Sequence, residues 1–202
     1  VTAHELGHWV MASFGRSPYE GGRHCVGVPT FPGQAWSEGF ATLFSSLVRE
    51  NSIYFDKQEG STFWIDIERR AYSSTRAAWK RPVARDGLLQ LIDENEVSSM
   101  GWALRKRSTE EGMTLPDNKH FLDALATPQM RTEPFGRGYN RHVWQVSGCT
   151  KTSADDTGDP APMFADFLDA LVCSGSVTAS QVDEVTSPPV NYPSPSRSPV
   201  CP

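Results

Sequence analysis

His4-Glu5-Leu6-Gly7-His8, near the start of this 202-residue chain, is the stretch that decides how its first half folds. On a helix of about 3.6 residues per turn, positions four apart differ by roughly 40° of rotation, so both imidazoles project from one face. Two imidazoles at that spacing can bind one Zn²⁺ at about 2.0–2.1 Å. Glu5, next to His4, can reach a water beside such a metal without ligating it, and can take the water's proton as it attacks a carbonyl. Residues 1–14 read as a helix that stops at Gly15, a residue that tolerates the left-handed conformation. Thr2 and Glu5 also spell the capping-box pattern. Under that competing reading Glu5 caps the helix and the histidines lie on the surface, which leaves their metal spacing unexplained.

A catalytic zinc takes three protein ligands and keeps a fourth position open. The extended H-E-x-x-H-x-x-G-x-x-H arrangement fails, because Met11 and Phe14 stand where it needs Gly and His. The inverted H-x-x-E-H pattern is absent as well. A carboxylate from a following helix fits instead: Glu38, in Trp36-Ser37-Glu38-Gly39-Phe40-Ala41-Thr42. Residues 35–51 have helical periodicity, with Phe40, Leu43, Phe44, Leu47 and Val48 on one apolar stripe. Glu38, Thr42 and Ser45 fall on the opposite polar face. Gly39 is expected to let this backbone come close to the first helix.

H-E-L-G-H followed by W-S-E-G-F-A resembles the gluzincins, zinc metallopeptidases that use two His and one Glu. Within that group the chain is most similar to uncharacterised secreted bacterial zincin-like proteins. The specific likeness covers residues 1–48, with a weaker one from Glu94-Asn95-Glu96 to Trp102 and from Phe164 to Gly175. It implies His4, His8 and Glu38 as Zn²⁺ ligands, Glu5 as catalytic base, and a peptide or protein as substrate. It also implies an N-terminal sheet, absent from this sequence, whose edge strand aligns an extended peptide. Several gluzincins carry an Asp four residues after the Glu ligand to orient a histidine. Thr42 stands there, a weaker, neutral partner. Gluzincins often supply a Tyr or His from later in the chain to stabilise the oxyanion, a role that falls first to His142 and second to Tyr139. The competing reading makes both part of a polar loop. His24 and Cys25 read as structural, and His120 as a solvated residue near a helix start.

Outward from this pair of motifs, residues 15–34 read as loop, rich in Gly and Pro. Ile53 to Phe55 and Thr62 to Ile67 suggest a hairpin around Gly60. Residues 86–107 look mainly helical, a short helix follows Pro116 with Phe121, Leu122 and Leu125 inward, and another spans 162–172 before Gly175. The expected fold is mainly α (α+β), with zincin-like catalytic helices and a small β component over residues 1–185. Residues 186–202 form a tail, since six Pro and four Ser lie among the seventeen residues from Thr186 to Pro202. The first residue is Val1, not Met, so an upstream part of the same chain is expected to complete the fold and to carry any targeting segment.

The charge balance, 19 Lys plus Arg against 24 Asp plus Glu, gives no argument for nucleic acid or an anionic membrane, and no apolar run is long enough to span a bilayer. Four cysteines, none in a C-x-x-C pair, allow three disulfide connectivities. A Cys149–Cys173 bridge is expected, with Cys25 and Cys201 left for a second, and with it an extracellular or periplasmic location. Three functions fit these observations: a zinc peptidase, a non-enzymatic zinc-containing binding or cell-surface module, and a zinc hydrolase of non-peptide substrates.

Overall fold

Helix α1 (Thr2–Phe14) and helix α2 (Pro32–Arg49) pack directly on one another, and α3 (Glu94–Glu110) packs on the other side of α2. The computed structural model describes residues 1–18, 20, 22, 24–58, 60–73, 79, 91–110, 118–132, 134, 146–147, 150–151, 161–186, 192 and 201. The remaining described elements are β1 (Ile53–Gln58), β2 (Ser61–Asp66), β3 (Ala71–Tyr72), α4 (Asn118–Leu125), α5 (Pro128–Arg131), β4 (Val146–Ser147), β5 (Thr150–Lys151), α6 (Phe164–Cys173) and α7 (Ala179–Thr186). The molecule is a mixed α/β structure, mainly helical, with one three-stranded antiparallel sheet in the order β1-β2-β3. This agrees with the expected mainly helical (α+β) class.

Val1 precedes the first residue of α1 and makes no side-chain cap, so the Thr2–Glu5 capping box is not formed. It ends at Gly15, but the reason differs from the one expected. Gly15 has φ −113°, outside the left-handed region. A Cβ there would lie 3.1 Å from the backbone oxygen of Leu125, so the residue is small to admit α4. Helix α2 starts three residues earlier than its periodicity suggests, because Pro32 takes the first helical turn, where its missing N–H costs nothing. The β1–β2 hairpin pairs Ile53 with Asp66 through to Gln58 with Ser61, and Gly60 (φ 84°) makes its turn. Of the segment expected as helix over 86–107, residues 86–90 lie outside the described set. Ile92 bridges to Thr30 instead, and the helix begins at Glu94.

The core is aromatic. Trp36 and Phe40 of α2 meet Phe167 of α6 at ring-centroid distances of 4.8 and 6.3 Å, and Phe121 of α4 lies 5.7 Å from the same ring. Phe121, Phe164 and Phe167 are all essentially inaccessible, each contributing about 2 kcal/mol by leaving water. Close approach of the three stacked helices depends on glycine. A Cβ on Gly7 would sit 2.8 Å from the Ala41 backbone, and one on Gly39 would sit 2.6 Å from the Glu94 carbonyl oxygen. Gly39 therefore faces α3, not the first helix as expected. Contact with the first helix is made by Gly7, from α1 itself.

The expected Cys149–Cys173 bridge does not form, because Cys173 is bonded to Cys201 with a Cα separation of 5.5 Å. Tyr192, nine residues before Cys201, is anchored on α6 and α7. Its hydroxyl donates to Asp169 Oδ1 at 2.6 Å and its backbone N–H to Asp183 Oδ1 at 2.9 Å. Cys25 is also disulfide-bonded, so it is not left for Cys201. Cys149 lies outside the described residues. Closing a separation of 28 residues constrains the unfolded chain by about 3–4 kcal/mol in the loop-entropy picture. Among the described residues no helix is long and apolar enough to cross a membrane.

Candidate metal centre

The crossing of α1 and α2 brings His4, His8 and Glu38 together. One ligating atom from each lies within 4.8 Å of the others, the spread expected of three groups around one ion. Glu38 Oε2 is 3.3 Å from His4 Nε2 and 3.3 Å from His8 Nε2. The two imidazole rings are 4.9 Å apart and nearly perpendicular, the product of placing them one helical turn apart on α1. All three side chains are partly shielded, at 14%, 29% and 17% exposure.

The far nitrogen of each imidazole is also engaged. Thr42 Oγ1 lies 3.2 Å from His4 Nδ1, and Ser37 Oγ lies 3.2 Å from His8 Nδ1. Helix α2 thus supplies the carboxylate at 38 and a hydroxyl for each imidazole at 37 and 42. With both Nδ1 atoms held by hydroxyls, both Nε2 atoms are turned into the space they share with Glu38. Thr42 occupies the place the sequence pattern gives to an orienting group, and does so without a charge.

Electrostatics follow from this geometry. Burial would raise the Glu38 carboxyl, but hydrogen bonds from His4 and His8 and the charges of His24 and His8 outweigh it and hold Glu38 well below the usual carboxylate range. Burial likewise works against a charge on His8. The hydrogen bond and charge of Glu38, together with the charge of Glu5, prevail and raise it above 6.5. Tyr54 of β1 lies against His4, with ring centroids 5.4 Å apart. Its phenol is pushed up by burial, then by Asp56, whose carboxylate accepts a hydrogen bond from the Tyr54 hydroxyl at 3.0 Å, and then by Glu5 and Glu38. Tyr54 therefore stays a neutral wall to the site.

Glu5 is exposed on α1, close enough to act on the charges of His8 and Tyr54. His142 and Tyr139, expected as oxyanion partners, lie outside the described residues. His120 is half-buried on α4 and is not one of the three converging residues. Sequence reasoning missed Ser37, although it stands inside W-S-E, and it missed the wall formed by Tyr54. It also read His24 as structural. His24 Nε2 lies 3.5 Å from Glu38 Oε1, and its Nδ1 lies 2.8 Å from Glu94 Oε2. No family model matches the chain, nor does any curated protein or solved structure at a significant level.

Proposed function

We propose that this chain carries the catalytic centre of a zinc metallopeptidase of the gluzincin type, which hydrolyses peptide bonds in a peptide or protein substrate. The observation that supports it most is the convergence of His4 Nε2, His8 Nε2 and Glu38 Oε2, with an exposed Glu5 on the turn between the two histidines. A donor set of two imidazoles and one carboxylate suits Zn²⁺ and leaves room for a fourth partner. Bound zinc would supply Lewis acidity, lowering the pKa of water to near 7 and polarising a carbonyl. Ser37 and Thr42 keep the imidazoles aimed inward. Glu5 accepts the proton of the attacking water and then delivers it to the leaving amine. Tyr54 shields His4 from solvent on one side. A disulfide between Cys173 and Cys201 supports an extracellular or periplasmic location, where such bonds persist.

The test is hydrolysis of casein and of a peptide library by the protein, with and without chelator, beside Glu5→Gln. Gln keeps the shape of the side chain and cannot accept the proton, so zinc content should stay near one equivalent while turnover falls on the order of 10²–10⁴-fold. Equal turnover by parent and variant would remove Glu5 as the base. A zinc-loaded parent inert on every peptide would instead favour a non-enzymatic zinc module or a hydrolase of other substrates.

A further inference from the structure

Glu38 has two carboxylate oxygens, and the histidine pair occupies one of them. Oε2 faces His4 and His8, while Oε1 faces His24 at 3.5 Å. A terminal carboxylate torsion is broad and roughly two-fold. Nothing in α2 alone decides which oxygen turns to the imidazoles or at what angle the carboxylate plane stands.

His24 is well placed to decide it. Its other nitrogen, Nδ1, lies 2.8 Å from Glu94 Oε2, and the Glu94 side chain is only 10% exposed at the first turn of α3. The loop that carries His24 is fastened around it. Glu20, itself buried, accepts a hydrogen bond from the Gln34 backbone N–H at 2.9 Å, and Gln34 Nε2 donates to the Gly22 carbonyl at 2.7 Å. Cys25, the next residue, is disulfide-bonded. Thr30 and Ile92 exchange two backbone hydrogen bonds of 2.9 Å, tying the loop to the residues just before Glu94. His24 is not among the three residues whose ligating atoms converge within 4.8 Å.

We propose that His24 is a positioning residue for Glu38. It holds Oε1 and so fixes the carboxylate with Oε2 toward the imidazoles, and Glu94 holds His24 in turn. The inference rests on the reading of His4, His8 and Glu38 as a metal-binding set. It gives the centre a carboxylate support that reaches the third ligand through an imidazole, where the described partner of His4 Nδ1 is the neutral hydroxyl of Thr42.

The experiment is Zn²⁺ titration of the full chain in competition with a chromophoric chelator, for the parent, His24→Ala, Glu94→Gln and the double variant. His24→Gln stands in for His24→Ala if the latter does not fold by circular dichroism. The parent should bind one equivalent. Loss of His24 should weaken binding about 10–100-fold without changing the stoichiometry. Glu94→Gln should weaken it less, and the double variant should match the loss of His24 alone, because both act along one path. The Co²⁺-loaded forms should show the same visible band intensity in parent and variants, since no ligand is lost. Unchanged affinity in both single variants beside a metal-binding parent overturns the role of His24 alone. A Co²⁺ spectrum reporting a lost ligand makes His24 a ligand and overturns it too. A parent that takes up no Zn²⁺ refutes the metal-centre reading, and this inference with it.

Discussion

The two sides of the Glu38 carboxylate are built by different means. On the Oε2 side, the hydrogen-bonding groups described come from two helices in contact: imidazoles from α1 at positions 4 and 8, hydroxyls from α2 at 37 and 42. On the Oε1 side, an imidazole comes from a loop and a carboxylate from the start of α3. One side is set by helical repeat, so its geometry is settled once α1 and α2 dock. The other depends on fastening a Gly- and Pro-rich loop to distant residues. The helical side brings His4, His8 and Glu38 together with a hydroxyl behind each imidazole, and the loop side touches only the other oxygen of Glu38.

Glu38→Ala should break the comparison altogether, since it removes the group both sides share. Zinc affinity should fall by more than about 100-fold, beyond what any outer partner costs, and hydrolysis should drop to background. Retention of one tightly held equivalent would show that the carboxylate is not a ligand.

Thr42→Ala tests the helical side by itself. Its hydroxyl is buried against His4 Nδ1, so affinity should fall about 10-fold, near the lower end for an outer partner, with melting temperature nearly unchanged. Chelator competition measures it. A loss as large as that from Glu38→Ala would mean that Thr42 does more than orient an imidazole.

The smallest effect is on pH dependence, and it concerns the metal-free protein. Glu38 is held below its usual range, so its contribution to stability is complete above 4.5 and is lost as pH falls through its lowered pKa. His8 is raised above 6.5, so its contribution is complete below 6.5 and is lost as pH rises through the raised value. Chelator-treated protein should therefore melt at a lower temperature as pH rises from about 6 to about 8, and less so in Glu38→Gln. Added zinc should reverse the trend, because neutral imidazoles are the ligands. Identical pH profiles for parent and variant would show that the pairing contributes nothing.

What the sequence made legible follows the same division. The helical span of α1, the inward stripes of α2 and α6 and the β1–β2 hairpin rest on spacings of two, three or four residues, which one window of sequence contains. The meeting of His4, His8 and Glu38 was readable because both motifs are local and their pairing resembles a known pattern. The His24–Glu94 contact has no such spacing: it joins a loop to a helix start, and Glu94-Asn95-Glu96 carries only a weak likeness in a stretch that reads as mainly helical. In the fold Asp93, Glu94, Asn95 and Glu96 are buried and individually engaged, with Tyr72 donating to Asp93 at 2.7 Å and Arg70 lying 3.2 Å from Glu96. Helix α7 escaped notice because its eight residues bury only Val182 and Thr186, too little to make a stripe. Gly39 was assigned to the wrong neighbour because its sequence tells that something comes close, but not which helix. The disulfide pairing failed for a related reason. Loop length favours no one partner for Cys173, and the contacts of Tyr192 with Asp169 and Asp183 that accompany the Cys201 bridge are tertiary.

The Cys173–Cys201 bridge bears on how this molecule responds to backbone cleavage. A single backbone cut anywhere between these two residues leaves both pieces in one covalent molecule. Such a nick goes unseen on a non-reducing gel and separates the segment that carries Cys201 only after reduction. Tyr192, anchored to Asp169 and Asp183, would also hold the severed end against α6 and α7. The bridge thus makes a nick in this stretch a change of connectivity that leaves the covalent mass of the molecule together.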